Sequence, residues 1–220
     1  MIDIHTHILP NVDDGSSSLT MSRKMIEEEL NQGVNKIVLT PHQNKLSNNK
    51  DELVTTFDIL KTACKDLDVE LFLGAEIYFY EGMINDLIEG KLLTINNSKY
   101  VLVEFSTRIE VYIPDIIYEL HLAGFIPIVA HIERYSYLKF VDILEIIANG
   151  GLIQVNAKSF TSKNYKKTIK KLLKEEVIDF VASDAHDLME RNVDMKEAKK
   201  FVLKKYPSQF GKLFKEDFPF

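Results

Sequence analysis

The sequence predicts an α/β protein whose parallel strands close into a seven-unit, slightly irregular barrel. Strand-like and helix-like segments alternate along all 220 residues, and that alternation implies a parallel sheet. Polar metal-binding residue types also stand directly after the apolar runs. They are His5 and His7 in MIDIHTH, His42 in KIVLTPH, Glu76 after LFLGA, Glu104 after YVLV, His131 in IPIVAH and His186 in IDFVASDAH. Parallel neighbours in a barrel share one rim at their C-terminal ends, so these side chains would converge there. The length suits one barrel-sized domain spanning 1–220. An open doubly wound sheet is the structural alternative, but no GxGxxG or Walker A motif favours a nucleotide fold.

Taken in order, residues 2–4 are a short apolar strand. Residues 19–30 place Leu19, Met25, Ile26 and Leu30 at helical spacing, with Gly33 as the stop. Residues 36–39 form the second strand. Residues 51–66 read as a helix with Leu53, Phe57, Leu60 and Cys64 on one face. Strands follow at 69–73 and 100–103, with a short helix at 82–89 between them. Residues 114–123 begin with Pro114, which suits a first helical turn. Strand 126–130, helix 137–148, strand 152–155, helix 164–176 and strand 178–182 continue the alternation. Residues 194–204 are the last clear helix. The tail phenylalanines Phe210, Phe214, Phe218 and Phe220 are expected to dock onto the barrel.

Composition narrows the function. Hydrophobic residues make up 45% of the chain, enough for a large core. The formal charge is −6, with 33 acids against 27 bases, which argues against nucleic acid as partner. Cys64 is the single cysteine, so no intrachain disulfide forms, as suits a reducing compartment and a cytoplasmic location. The ligand-like motif begins at the first residues, leaving no room for a signal peptide. No apolar run approaches the ~20 residues of a membrane span. A homo-oligomer is compatible with all of this.

Two residues at i and i+2 of a strand point the same way, so His5 and His7 can grip one ion. Asp184 and His186 repeat that spacing. Asp13-Asp14-Gly15 reads locally as a turn, and Asp14 gains a functional reading only by following the HxH pair closely. Glu76 and Glu104 are carboxylates placed to bridge metals. His42 and His131 occupy the same rim position, whereas His121 lies inside a helical stretch and is given no role. Arg134 and Arg191 fall beside the candidate ligands, and the guanidinium fork matches phosphate oxygens. The lysine-rich run KNYKKTIKKLLKEE reads as an amphipathic helix with a solvated basic side; contact with an acidic partner or a membrane surface is its other reading. A cysteine phosphatase is excluded, because Cys64 is followed by KDLDVE and Glu70 stands where C-x5-R needs arginine.

In order along the chain, MIDIHTHILPNVDDG, TPH, GAEIY, VEFS, AHIERY and SDAH resemble the polymerase and histidinol phosphatase (PHP) superfamily. More narrowly they resemble its bacterial protein-tyrosine phosphatases of capsule and exopolysaccharide clusters, the CpsB/YwqE/CapC type. GAE stands where that family more usually has GQE, which keeps the ligand, and the polar segment QNKLSNNK after His42 is short for the family. The resemblance implies a distorted (β/α)7 barrel of the PHP fold holding three divalent ions, manganese first and iron, zinc or magnesium as alternatives. It assigns His5, His7, Glu76 and Asp184 to the first ion, with Glu76 bridging to a second completed by Glu104 and His131. Asp14, His42 and His186 take the third, and Arg134 and Arg191 hold phosphate. The implied substrate is the phosphotyrosine tail of a tyrosine autokinase that controls polysaccharide export. Another PHP phosphoesterase, such as a histidinol-phosphate phosphatase, and a non-catalytic metal-binding module are the rival readings.

Overall fold

The computed structural model describes residues 1–44, 46 and 49–218. Among them the strands are β1 (Ile2–Thr6), β2 (Lys36–Leu39), β3 (His42–Gln43), β4 (Glu70–Leu73), β5 (Glu76–Tyr78), β6 (Tyr100–Glu104), β7 (Ile126–Val129), β8 (Leu152–Asn156) and β9 (Phe180–Ala182). The helices are α1 (Leu19–Asn31), α2 (Lys50–Ala63), α3 (Met83–Ile88), α4 (Ile113–Leu122), α5 (Phe140–Ala148), α6 (Lys166–Lys174), α7 (Met195–Lys205) and α8 (Phe210–Leu213). Every strand pairing is parallel.

The strands fall into a three-stranded sheet, β1-β2-β4, and a six-stranded sheet, β3-β5-β6-β7-β8-β9. The division has a local cause. Thr40-Pro41 separates β2 from β3, and Gly74-Ala75 separates β4 from β5; proline has no N–H to give to a ladder. Two of the predicted strands therefore continue, after a break, into short segments that carry His42 and Glu76. Beyond β9 the chain returns to β1. The Asp184 N–H donates to His5 O and the His7 N–H to Ala185 O, both at 2.9 Å, and Thr6 bridges Ala185 in parallel. The result is a curled parallel sheet with helices outside it.

Alternation along each strand sorts the core into two layers, as burial on both faces of a parallel sheet requires. Leu102, Ile128, Ala130, Ala182, Val38 and Ile4 pack together on the inner side. Val101, Val103, Val129, Val155 and Val181 pack outward, in one cluster with Met25 and Ile26 of α1, Ile117 of α4, Ile146 of α5 and Leu172 of α6. Below the inner layer, Phe218 lies with its ring 4.5 Å from Tyr100 and 5.3 Å from Phe180. Phe214 and Phe218 are thus docked as expected, whereas Phe220 lies outside the described residues.

Some local expectations are corrected. Met25 and Ile26 are buried on α1 as the spacing predicts, but Leu19 opens the helix and is exposed, and Ser22 and Glu29 join the buried face. Ser18 caps that helix by accepting the Met21 N–H at 3.1 Å, which turns the first helical position to solvent. The helix expected from residue 137 begins at Phe140, where Asp142 Oδ2 accepts the Lys139 N–H at 2.7 Å and so satisfies the backbone donor at the helix start. Cys64 does not lie within α2 but caps its C-terminal end, buried.

Candidate metal centre

Pairing between β1 and β2 shifts register between Asp3 and Thr6. The shift takes the His5 N–H off the ladder and onto Asp3 Oδ1 at 3.1 Å. Both histidines of the HxH pair then face inward, fully buried, with their Nε2 atoms 3.2 Å apart. Glu76 at the start of β5 places Oε2 3.3 Å from His5 Nε2 and 3.2 Å from His7 Nε2. Asp184 Oδ1 lies 3.5 Å from each. Two imidazoles and two carboxylates from three separate chain segments therefore meet at one point.

Glu76 also looks the other way. Its Oε1 is 2.9 Å from His131 Nε2, and Glu104 Oε1 is 3.5 Å from the same nitrogen. His42 turns Nδ1 to Glu76 Oε2 at 3.0 Å and Nε2 to Asp14 Oδ1 at 3.4 Å. Asp14 Oδ1 is in turn 3.3 Å from His186 Nε2, and the His186 and His7 rings stack at 3.8 Å. Three donor groups result, each with ligand atoms within 4.8 Å of one another: His5, His7 and Asp184; His42, Glu76 and Glu104; His7, Asp14, His42 and His186. His42 thus takes part in two groups, and His7 joins the set expected from Asp14, His42 and His186.

The residues fit divalent cations. Burial opposes ionisation of Glu76, yet the His5 ring and hydrogen bonds from His131, His42 and His5 hold its carboxyl well below the usual range. Asp184 is likewise held low against burial by His5 and His7. Burial and the neighbouring His7 push His186 down to about 3, so it stays a neutral donor. Its buried Nε2 makes no hydrogen bond among the described residues, though Asp14 Oδ1 lies 3.3 Å away, as suits a nitrogen open to a metal. Imidazole with carboxylate is a donor set that suits zinc, iron or manganese.

Residues behind the ligands aim them. Asp13 Oδ2 lies 2.7 Å from His7 Nδ1 and accepts the His42 N–H at 3.0 Å, while Oδ1 accepts the Gly15 N–H at 2.9 Å. With its proton on Nδ1, His7 turns the Nε2 lone pair to the centre. Gly15 is required here: a Cβ would stand 2.1 Å from His7 O. Gln154 of β8 sets Oε1 3.2 Å from His5 Nδ1 and accepts the His131 N–H at 2.7 Å. Its Nε2 donates to Asn156 Oδ1, and Asn156 Nδ2 donates to Asp184 Oδ2 at 2.7 Å. From sequence alone Asp13 reads as a turn residue and β8 as plain strand. The only available signal was the nearness of DDG to HxH; nothing in IQVN marks Gln154.

Asp184 and His186 come together differently from expectation. β9 ends at Ala182, and Asp184 is left-handed at φ 54°. A tight turn brings His186 Nδ1 to 2.9 Å from Asp184 O, so strand alternation plays no part. His131 is also left-handed, at φ 32°. Strained backbone at two such residues is what functional sites retain.

Both arginines reach the centre. Arg134 sits one turn past His131, its N–H donating to His131 O, and its Nη1 is 3.6 Å from Asp184 Oδ2. Arg191 Nη1 donates to Asp14 Oδ2 at 2.9 Å, with Nη2 3.5 Å from Asp184 Oδ1. Together they line a cavity of about 240 Å³ beside the candidate metal-ligating side chains.

Known proteins share this arrangement of the chain. CpsB, a tyrosine-protein phosphatase of Streptococcus agalactiae, is 35% identical over 96% of this chain and 92% of its own. A crystal structure from work on YwqE of Bacillus subtilis and CpsB of Streptococcus pneumoniae, described as metal-dependent tyrosine phosphatases, superposes with a TM-score of 0.90. Its identity is 32%, over 96% of this chain and 89% of that one. The histidinol phosphate phosphatase of Lactococcus lactis, solved with zinc, L-histidinol and phosphate, shares the fold at TM-score 0.59 and 15% identity, over 93% of this chain and 94% of its own. The family described as capsular polysaccharide synthesis, CpsB/CapC, matches from residue 1 to 217, with HxH and SDAH brought together at the centre, and the chain belongs to it.

Proposed function

We propose that this protein is a metal-dependent protein-tyrosine phosphatase acting on the phosphotyrosine tail of a bacterial tyrosine autokinase that regulates capsular or exopolysaccharide synthesis. The observation that carries this reading is the meeting of three donor groups, joined through shared His7 and His42 and by Glu76 contacts to His5 and His7, beside a cavity lined by two arginines and Asp184. In this reading His5, His7, Glu76 and Asp184 hold one ion, Glu76, Glu104 and His131 a second, and Asp14, His42 and His186 a third, with manganese as the first candidate. The domain is single, spans 1–220, and closes as a distorted (β/α)7 barrel; the β9–β1 contacts support that closure. A tail phosphorylated from ATP places the work in the cytoplasm.

Bound metals would supply Lewis acidity, lowering the pKa of water and neutralising phosphoryl oxygens. The chain's own residues do the rest. Arg134 and Arg191 face the cavity with planar forks that match phosphate oxygens and stabilise charge developing on them. Asp13 and Gln154 keep His7 and His5 in fixed orientation, so the donors need no rearrangement. A tyrosine leaving group has a reference pKa of about 10, which lessens the need for a general acid.

The test is hydrolysis of a phosphotyrosine peptide against histidinol phosphate, with manganese added and metal content measured. The peptide should be turned over at the higher kcat/KM. Preference for histidinol phosphate would assign the centre to another phosphoesterase, and inactivity on both and on p-nitrophenyl phosphate would leave only metal binding.

A further inference from the structure

We infer that the basic face formed by the start of α6 is a docking surface for acidic residues flanking the phosphotyrosine, so that the preferred substrate is an acidic phosphopeptide. This rests on the tyrosine-phosphatase reading above and deepens it. The cavity beside the candidate metal-ligating residues is lined by Arg134 and Arg191 and also by Lys158, Ser162 and Tyr165. Ser162 and Tyr165 lead directly into α6, so the helix begins at the lip of the cavity. Residues 158–174 hold seven lysines and no acid, in a chain whose net charge is −6. Lys163, Lys166, Lys167 and Lys170 are exposed.

These lysines are set apart by clustering beside the cavity, with no acid between residues 158 and 174. Lys36 pairs with Glu70 and Asp217, Lys91 with Asp86 and Glu89, and Lys200 with Glu197. Lys163, Lys166, Lys167 and Lys170 have no such carboxylate partner among the described residues. Lys171 is turned aside, with Nζ 4.2 Å from the Phe140 ring centre, and Lys158 donates to the Glu190 carbonyl, tying down the opposite loop. That loop carries Asp187 and Glu190 and is the wrong sign for an acidic chain. A peptide with its phosphotyrosine in the cavity therefore lays its acidic side over α6.

The apolar side of α6 argues for a peptide over a membrane. Ile169, Leu172 and Leu173 are all buried in the core, leaving nothing apolar on the helix to insert into a lipid interface. Single exposed ion pairs contribute little, but a row of unpaired cations beside a site raises the local concentration of an anionic partner and is weakened by salt.

The experiment compares two phosphotyrosine peptides, one with aspartate and glutamate flanks and one with the matched asparagine and glutamine. It uses the manganese-loaded wild type and a Lys163→Glu/Lys166→Glu/Lys167→Glu variant. Wild type should prefer the acidic peptide through KM, with the preference shrinking at high salt. The variant should raise KM for the acidic peptide about tenfold at low salt, the scale expected of charge reversal at a steering surface. Its kcat, its turnover of p-nitrophenyl phosphate and its circular dichroism should stay as in wild type. Equal KM values for the two peptides in wild type, or an unchanged KM in the variant, would overturn the inference. So would loss of binding to phosphatidylglycerol vesicles in the variant with peptide preference intact, since the surface would then belong to a membrane. Turnover of p-nitrophenyl phosphate with neither peptide hydrolysed would overturn the phosphatase reading itself, a result distinct from flat peptide preference.

Discussion

The two arginines do not have equal work. Arg134 is fixed by its own backbone bond to His131 O and is partly shielded, with carboxylates of Asp184, Glu104 and Glu76 raising its pKa against burial. Its guanidinium is therefore drawn in beside Asp184, where charge would develop. Arg134→Ala should leave metal content intact and lower kcat by roughly 10²–10³, the scale of one lost transition-state donor, and Arg134→Lys should rescue poorly because a point charge lacks the fork. Arg191 is more exposed and leans on exposed Asp14. Its removal should raise KM more than it lowers kcat, the pattern of lost positioning. Steady-state kinetics on a phosphotyrosine peptide, with metal analysis, checks both. Near-normal kinetics for Arg134→Ala would return it to the role of a surface arginine. At this scale the convergence of the candidate donors is legible in the sequence, because histidines and acids at strand ends are rare enough to stand out. Asp13, Gln154 and Asn156 were not. Each is an ordinary polar residue whose role exists only once β8, the 13–15 turn and β1 are brought side by side.

At the scale of elements, the sequence pattern located seven strands and most helices, since most strands are buried on both faces and their apolar runs are continuous. It missed β3 and β5 because two-residue and three-residue segments have no period to read. Their placement follows from breaks at Thr40-Pro41 and Gly74-Ala75, and it is those breaks that set His42 and Glu76 into the six-stranded sheet beside Glu104. The opposite end of the sheet is organised around an aromatic cluster. Phe218 is 7% exposed and sits against Tyr100 and Phe180, at the starts of β6 and β9, and the Ile2 N–H donates to Lys215 O at 2.9 Å. Residues at this end bear on stability and those at the other on chemistry. Phe218→Ala should thus cost about 3 kcal/mol of folding stability while leaving kcat on p-nitrophenyl phosphate unchanged at low temperature. Urea denaturation alongside kinetics measures this, and a fall in kcat without a fall in stability would break the separation of the two ends.

For the whole molecule, the site and the fold share a free energy. His5, His7, Glu76, His131, Asp184 and His186 are buried and come from β1 and the turn after it, β5, and the segments following β7 and β9. A cation held among them ties together strands that are far apart in sequence. Ligand present at about a thousand times its Kd adds about 4 kcal/mol to the native state. For a chain of this length 1 kcal/mol moves Tm by roughly 2–4 °C, so EDTA should lower Tm by roughly 8–16 °C. Activity should vanish on the same titration and return with manganese. Thiol alkylation should do neither. Cys64 is 2% exposed, and burial pushes its thiol pKa up, so iodoacetamide meets a protonated, shielded sulfur. The two reagents separate the chemistries cleanly when calorimetry and turnover are followed together. Inactivation by iodoacetamide at unchanged Tm would point to thiol chemistry, and a Tm indifferent to EDTA would mean that the buried histidines and carboxylates hold their positions by their own mutual charge, without an ion between them.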